Sequence, residues 1–143
     1  MARIPDSARA VIEGGALGHL VTLNADGSPQ VTLVWVGIEG DELLTGHLGV
    51  WQKVKNVQRN DRVALSFETD RTAPNGLSEY LVVYGRARAQ EGGAPELLQR
   101  LAQIYLGPGT KFPPMDDPPA GYVLRITPER FTGNGPWAVR RPG

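Results

Sequence analysis

The sequence predicts a mainly β fold: a six-stranded antiparallel barrel, closed or partly open, with two or three flanking helices. Three observations carry that expectation. Six apolar-rich runs of strand length are separated by turn signals such as Asp26-Gly27 and Glu39-Gly40-Asp41, which favour antiparallel hairpins. The 18 glycines and 12 prolines fall between those runs, as turn punctuation does, and stay below the share that marks disorder. Helical periodicity is strong in one late segment and short elsewhere. The 143 residues match one ordinary domain, 1–143, able to bury a core without staples.

The elements follow in order. Ile4-Pro-Asp-Ser-Ala-Arg-Ala-Val-Ile12 predicts a short opening helix, with Pro5 suited to its first turn and Gly14-Gly15 to its end. Leu17–Leu23 predicts a strand, and Asn24–Gly27 a hairpin turn. Pro29–Ile38 predicts a long strand that is apolar on both faces (Val31, Leu33 and Trp35 against Val34 and Val36), hence covered on both sides. Leu43–His47, Arg62–Thr69, Ser78–Gln90 and Gly121–Thr127 complete the six. Val50–Arg59 predicts a helix of two to three turns with Val50, Val54 and Val57 toward the core. Ala94–Leu106 is the strongest helix, with Leu97, Leu98, Leu101, Ile104 and Tyr105 on one face. Residues 107–120 hold five prolines and predict an irregular loop. Residues 128–143 predict a C-terminal extension. Tyr80, Tyr84 and Tyr105 are expected in the core.

Composition excludes several functions. Fifteen basic residues balance fifteen acidic ones, with a pI near 6.7, so no charge excess recommends nucleic acid or a polybasic membrane surface. There is no cysteine, which removes thiol catalysis, disulfides and cysteine zinc sites. His19 and His47 are the only histidines and lack metal-ligand spacing, so no metal is expected. No secretory leader and no apolar run of membrane-spanning length is visible, and a cytoplasmic location is the expectation.

One stretch stands out from this balance. Trp51-Gln-Lys-Val-Lys-Asn-Val-Gln-Arg-Asn-Asp61 packs two lysines, an arginine and two asparagines beside a helix start. A lysine in a first helical turn is unfavourable, because that end already carries partial positive charge. The cost vanishes if an anion such as a phosphate docks there, held by Lys53, backbone N–H groups and Asn56 one turn on. The plain alternative is a solvated helix face with Trp51 as a packing residue.

The order and spacing of Thr22-Leu-Asn-Ala-Asp-Gly-Ser-Pro-Gln-Val-Thr-Leu-Val-Trp-Val-Gly37, Leu43-Leu-Thr-Gly-His47 and Lys53-Val-Lys-Asn-Val-Gln-Arg-Asn-Asp-Arg-Val-Ala-Leu65 resemble the pyridoxamine 5'-phosphate oxidase-like split-barrel family. More narrowly they resemble its flavin/deazaflavin oxidoreductases that use coenzyme F420. The resemblance spans about Leu17 to Trp137. It implies an FMN-binding split barrel and a homodimer with cofactors in grooves between subunits. It also implies hydride transfer between a flavin-type cofactor and a small-molecule substrate. Coenzyme F420 is the cofactor expected, FMN the alternative, and a non-catalytic cofactor-holding module the third reading. Lys53, Lys55 and Asn56 match the K-x-[RK]-N motif around the cofactor phosphate. Pro29, Gln30, Val31 and Thr32 would line ring and tail. Thr45 and Gly46 would approach from the strand before the motif. Trp137 would either stack on a ring from the neighbouring subunit or anchor the tail. Arg86 and Arg88 face either solvent or an anionic tail. The resemblance assigns no catalytic protein residue, because the cofactor carries the chemistry. The chain departs from the pattern at Trp51 and Gln52, where many relatives carry Ser, Thr or Arg.

Overall fold

A computed structural model describes residues 2–138. Seven strands and three helices follow in the order α1 (Asp6–Glu13), β1 (Gly18–Leu23), β2 (Pro29–Val34), β3 (Gly37–Glu39), β4 (Glu42–His47), α2 (Gln52–Arg59), β5 (Arg62–Thr72), β6 (Ser78–Glu91), α3 (Ala94–Tyr105) and β7 (Tyr122–Asn134). All strand pairs are antiparallel, in one sheet of order β2-β1-β5-β6-β7-β4-β3.

The strand count corrects the expected six. The run Pro29–Ile38 is two strands, β2 and β3, broken at Trp35-Val36. These two strands are the opposite edges of the sheet, yet only two residues join them. Three residue steps cover about 10 Å, so the sheet must curl until its edges nearly meet. No ladder bonds β2 to β3. The barrel is curled and left open at one seam. Tyr105 supplies what the ladder lacks there: the Val36 N–H donates to its hydroxyl at 3.1 Å, and that hydroxyl donates to the Ala16 carbonyl at 2.7 Å.

The last strand also outruns its expected end. β7 continues through Pro128 to Asn134, so the first half of the expected extension is sheet. Pro128 is tolerated because it falls where the β6–β7 register shifts, between Tyr84 and Gly85. A side chain at Gly85 would sit 2.4 Å from the Thr127 carbonyl oxygen, so the two backbones approach too closely for any other residue.

The core is made by the inward faces of the strands, led by Leu20, Leu43, Leu65, Phe67, Leu81, Val83, Leu124 and Ile126. α1 closes it with Ala8, Val11 and Ile12, and α2 with Val54 and Val57. A smaller cluster joins α3, through Leu97 and Leu101, to Leu44 and Val123. Val50 and Ile104, expected in these faces, are exposed: Val50 precedes the helix, and Ile104 lies on the solvent side of α3. Tyr80 and Tyr84 are exposed as well, on the outer face of β6. Among the described residues no helix is long and apolar enough to cross a membrane, and no three His, Asp or Glu side chains gather as a metal site.

Candidate functional site

α2 starts directly after β4 and lies against β1 and β6. Its helical period divides its side chains three ways. Val54 and Val57 enter the core, Lys53 points along the helix flank toward the end of β4, and Lys55 is exposed. Asn56 is fully buried. Its amide nitrogen donates to Thr22 Oγ1 at 3.0 Å and to Asn24 Oδ1 at 2.9 Å. Its oxygen accepts from Gln52 at 2.8 Å and Arg59 at 3.0 Å. Gln30 Oε1 joins the same cluster, 3.5 Å from the Asn56 amide and 3.4 Å from Thr22 Oγ1. Asn56 is therefore the joint that fastens α2 to β1 and β2, and its donors are already committed.

Lys53 faces a cavity of about 380 Å³. The walls are apolar and aromatic: Leu33 and Trp35 from the β2 side, Leu48 and Trp51 from the β4–α2 connection, and Leu98 and Phe112 from α3 and its following loop. Gly46 and His47 form the end of β4 in the same cavity. The loop that delivers Phe112 is pinned to α3, where Gln99 accepts from the Phe112 N–H and both Gln99 and Gln103 donate to the Thr110 carbonyl. Phe112 packs tilted on Trp35, which stacks on Tyr105 with 5.3 Å between centroids. Trp51 lies over Gly49, where even a methyl group would press on its ring at 3.0 Å.

The electrostatics are one-sided. Burial lowers the Lys53 pKa, and no hydrogen bond or ion pair of the described residues reaches its ammonium group. His47 is buried and hydrogen-bonded at 2.7 Å to Thr45 Oγ1, itself fully buried. Burial first, and the Lys53 charge second, push the His47 pKa down to about 3. The imidazole is neutral near pH 7 and adds no charge to the cavity. On β2, Thr32 Oγ1 does not line the cavity and is out of water with no hydrogen-bond partner among the described residues. A half-buried cation without an anion and a buried hydroxyl without a partner both carry a cost as they stand. A phosphate-bearing ring compound fits this donor set: anion at Lys53, ring against the aromatic walls.

The expected site residues divide accordingly. Lys53 and Gly46 meet in the cavity; Thr45 stands behind it, bonded to His47. Gln30 and Asn56 lie in the network beneath α2, and Thr32 one inward position along β2 from Gln30. Pro29 and Val31 are exposed on the outer face of β2, away from the cavity. Lys55 is exposed on α2. Trp137 is buried in the main core, donating to the Tyr80 carbonyl at 3.2 Å, and does not line the cavity. Arg86 is engaged with Asp61 and Glu129, and Arg88 with Glu42. Most of the apolar wall was not expected from sequence, Trp35, Trp51 and Phe112 among it. An aromatic alone in a proline-rich loop is the signal that could have found Phe112.

The fold and its details have solved counterparts. An F420 reductase is 28% identical, with a TM-score of 0.72 over 90% of this chain and 98% of that one. Rv2991, a conserved hypothetical protein of Mycobacterium tuberculosis, is 26% identical, with a TM-score of 0.67 over 93% and 87%. HupZ of Group A Streptococcus, at 20% identity, shares the fold with a TM-score of 0.68 over 96% and 99%. No curated protein matches the sequence. The family model described as pyridoxamine 5'-phosphate oxidase matches residues 4–134, nearly the whole sheet and all three helices, and the chain belongs to that family.

Proposed function

We propose that the chain is an oxidoreductase that holds a phosphate-bearing flavin-type cofactor in the Lys53 cavity, with coenzyme F420 as the favoured cofactor and FMN as the alternative. Lys53 carries this reading. It is a half-buried ammonium group with no anionic partner among the described residues, opening onto an apolar, aromatic-walled cavity next to a neutral histidine. The F420 reductase among the similar structures favours the deazaflavin, and FMN stays the alternative that membership of the oxidase family leaves open. Reduced F420, when bound, supplies a hydride to an electron-poor small organic acceptor.

The chain's own groups then have defined tasks. Lys53 answers the phosphate. Gly46 keeps the β4 side of the cavity narrow in bulk, because Leu98 already stands 3.1 Å from where a side chain would begin. Trp35, Phe112 and Leu48 exclude water from the ring. Asn56 acts as a positioning residue by holding α2, and so Lys53, against β1 and β2. No protein acid or base is assigned a proton transfer, and Lys55 remains a solvent-side cation at the cavity's periphery.

The assembly proposed is a homodimer. Cross-strand rows on the outer sheet face run Val31–Val21–Ala64–Tyr84 and Leu33–His19–Ser66–Val82. Val31, Leu33 and Leu17 are each about half exposed on one protomer, and Leu17 and Leu33 also line the Lys53 cavity. A second copy seated on this face would complete the cavity's open side. The test is fluorescence titration of purified protein with F420 and, separately, FMN. Saturable binding of one of them in the low-micromolar range or tighter, weakened by Lys53→Ala, is expected. Binding of neither at tens of micromolar would refute the proposal.

A further inference from the structure

A second cavity, of about 690 Å³, lies at the other end of the sheet and shares no residue with the Lys53 cavity. It is bounded by the β5–β6 turn (Ala73–Asn75), the end of β7 (Thr132–Asn134) and Gly135–Ala138 crossing beyond it. Most of its walls are glycine, alanine, proline and amide groups. One wall is an acid. Glu79, on the inward face of β6, is more than nine-tenths buried, and its Oε1 is out of water with no hydrogen-bond partner among the described residues.

The neighbouring amides are engaged with each other and with the backbone. Asn75 donates to Asn134 Oδ1 at 2.9 Å, and Asn134 donates to the Ser78 carbonyl at 3.0 Å. Thr69 donates to the Glu79 carbonyl rather than to its carboxylate. No lysine, arginine or histidine among the described residues lines the cavity or pairs with Glu79. A carboxylate oxygen held out of water gains most from a cation that brings N–H donors with it. A glutamine would satisfy a merely polar wall at far lower cost. The space beside Glu79 is large enough for a planar cation and part of its stem.

From this geometry we infer that the cavity is a binding site for a guanidinium or primary ammonium group, with Glu79 as its counter-ion. Two sources carry that chemistry: a free small cation, or this chain's own Arg140 and Arg141, which follow Ala138 in sequence by two and three positions. The site stands independently of the cofactor proposal.

The test uses the full chain in four forms: wild type, Glu79→Gln, Arg140→Gln/Arg141→Gln, and the triple variant. Each is titrated with methylguanidinium chloride at fixed ionic strength, following amide resonances of Gly133, Asn134 and Asn75. Saturable shifts confined to these positions in the double-arginine variant but not in wild type would support the site, with the chain's own arginines as its occupant. Saturable shifts in both would support it with a free cation as occupant. Glu79→Gln should weaken either response at least tenfold. Absence of saturable shifts in both wild type and the double-arginine variant overturns the inference. So does an unchanged response in the triple variant. Because the double-arginine variant leaves Glu79 intact, a folding defect of Glu79→Gln does not shield the inference.

Discussion

Replacing His47 by glutamine should make the fold more resistant to acid, although it removes a buried, hydrogen-bonded side chain. In the unfolded chain His47 takes up a proton near pH 6.5. In the folded chain burial and the Lys53 charge postpone uptake to about pH 3. Between those values the unfolded state binds more protons, so stability falls as the pH falls. At pH 4.5 the separation from 6.5 is two units, each about 1.4 kcal/mol, so His47 alone costs roughly 2–3 kcal/mol relative to pH 7. Glutamine keeps a polar atom near the Nε2 position for Thr45 and does not titrate. Urea unfolding of both proteins at pH 7.5 and pH 4.5 measures the effect. Wild type should lose about 2–3 kcal/mol more than His47→Gln across that interval, whatever the two stabilities are at pH 7.5. Equal losses would show that His47 is hydrated or charged in the folded protein, and the picture of a neutral wall in the Lys53 cavity would fail. A bound anionic ligand offsets the Lys53 charge and should shrink the gap, which the same experiment in saturating ligand reads directly.

Other changes have equally local consequences. Lys53→Ala should weaken cofactor binding by about 1–3 kcal/mol, the range for a charge-assisted contact, while Lys55→Ala, on the solvent side of α2, should change calorimetric affinity far less. Asn56→Ala leaves the buried Thr22 hydroxyl and the partly buried groups of Asn24, Gln52 and Arg59 without their partner and should cost about 2–3 kcal/mol of stability in denaturant unfolding. Tyr105→Phe leaves the stacking on Trp35 but orphans the Val36 N–H at the barrel seam; about 1–3 kcal/mol lost is the expectation, with hydrogen exchange at Val36 sharply faster.

Much of this architecture was legible because its signals are local. Asp26-Gly27 marks the β1–β2 hairpin, where Gly27 adopts a positive φ of 85°, and the leucines of Ala94–Leu106 mark α3. The break at Trp35-Val36 was not legible. Its cause is a hydroxyl 69 residues away, and the continuous apolar pattern across it is what a fully covered strand also shows. Tyr80 and Tyr84 misled for a related reason: their strand alternates correctly, but aromatic residues on the outward positions imitate an inward face. At the candidate site, the K-x-K-N pattern marks the helix turn that carries Lys53 and Asn56, yet it cannot separate a residue that faces a ligand from one that fastens the helix. Asn56 and Lys53 are three apart and diverge completely in burial. That division is made by Thr22 and Asn24, which lie more than 30 residues earlier.

The open seam explains why cavity and sheet face belong together. A curled sheet whose edge strands stay unbonded exposes β2, and its outward residues Val31 and Leu33 are too apolar to guard an edge in water. Leu33 and Leu17 lie at once on that face and in the wall of the Lys53 cavity. Covering the face therefore also dries the cavity, which strengthens the field of Lys53 on any anion inside. A ligand that prefers the covered form must in turn favour its formation, since whatever binds one state stabilises it. Leu33→Asp, which charges the shared wall but leaves Lys53 in place, should shift sedimentation toward the monomer and weaken cofactor affinity together. If it splits the dimer while affinity holds, or lowers affinity with assembly intact, then face and cavity are separate devices and the coupling through the seam does not exist.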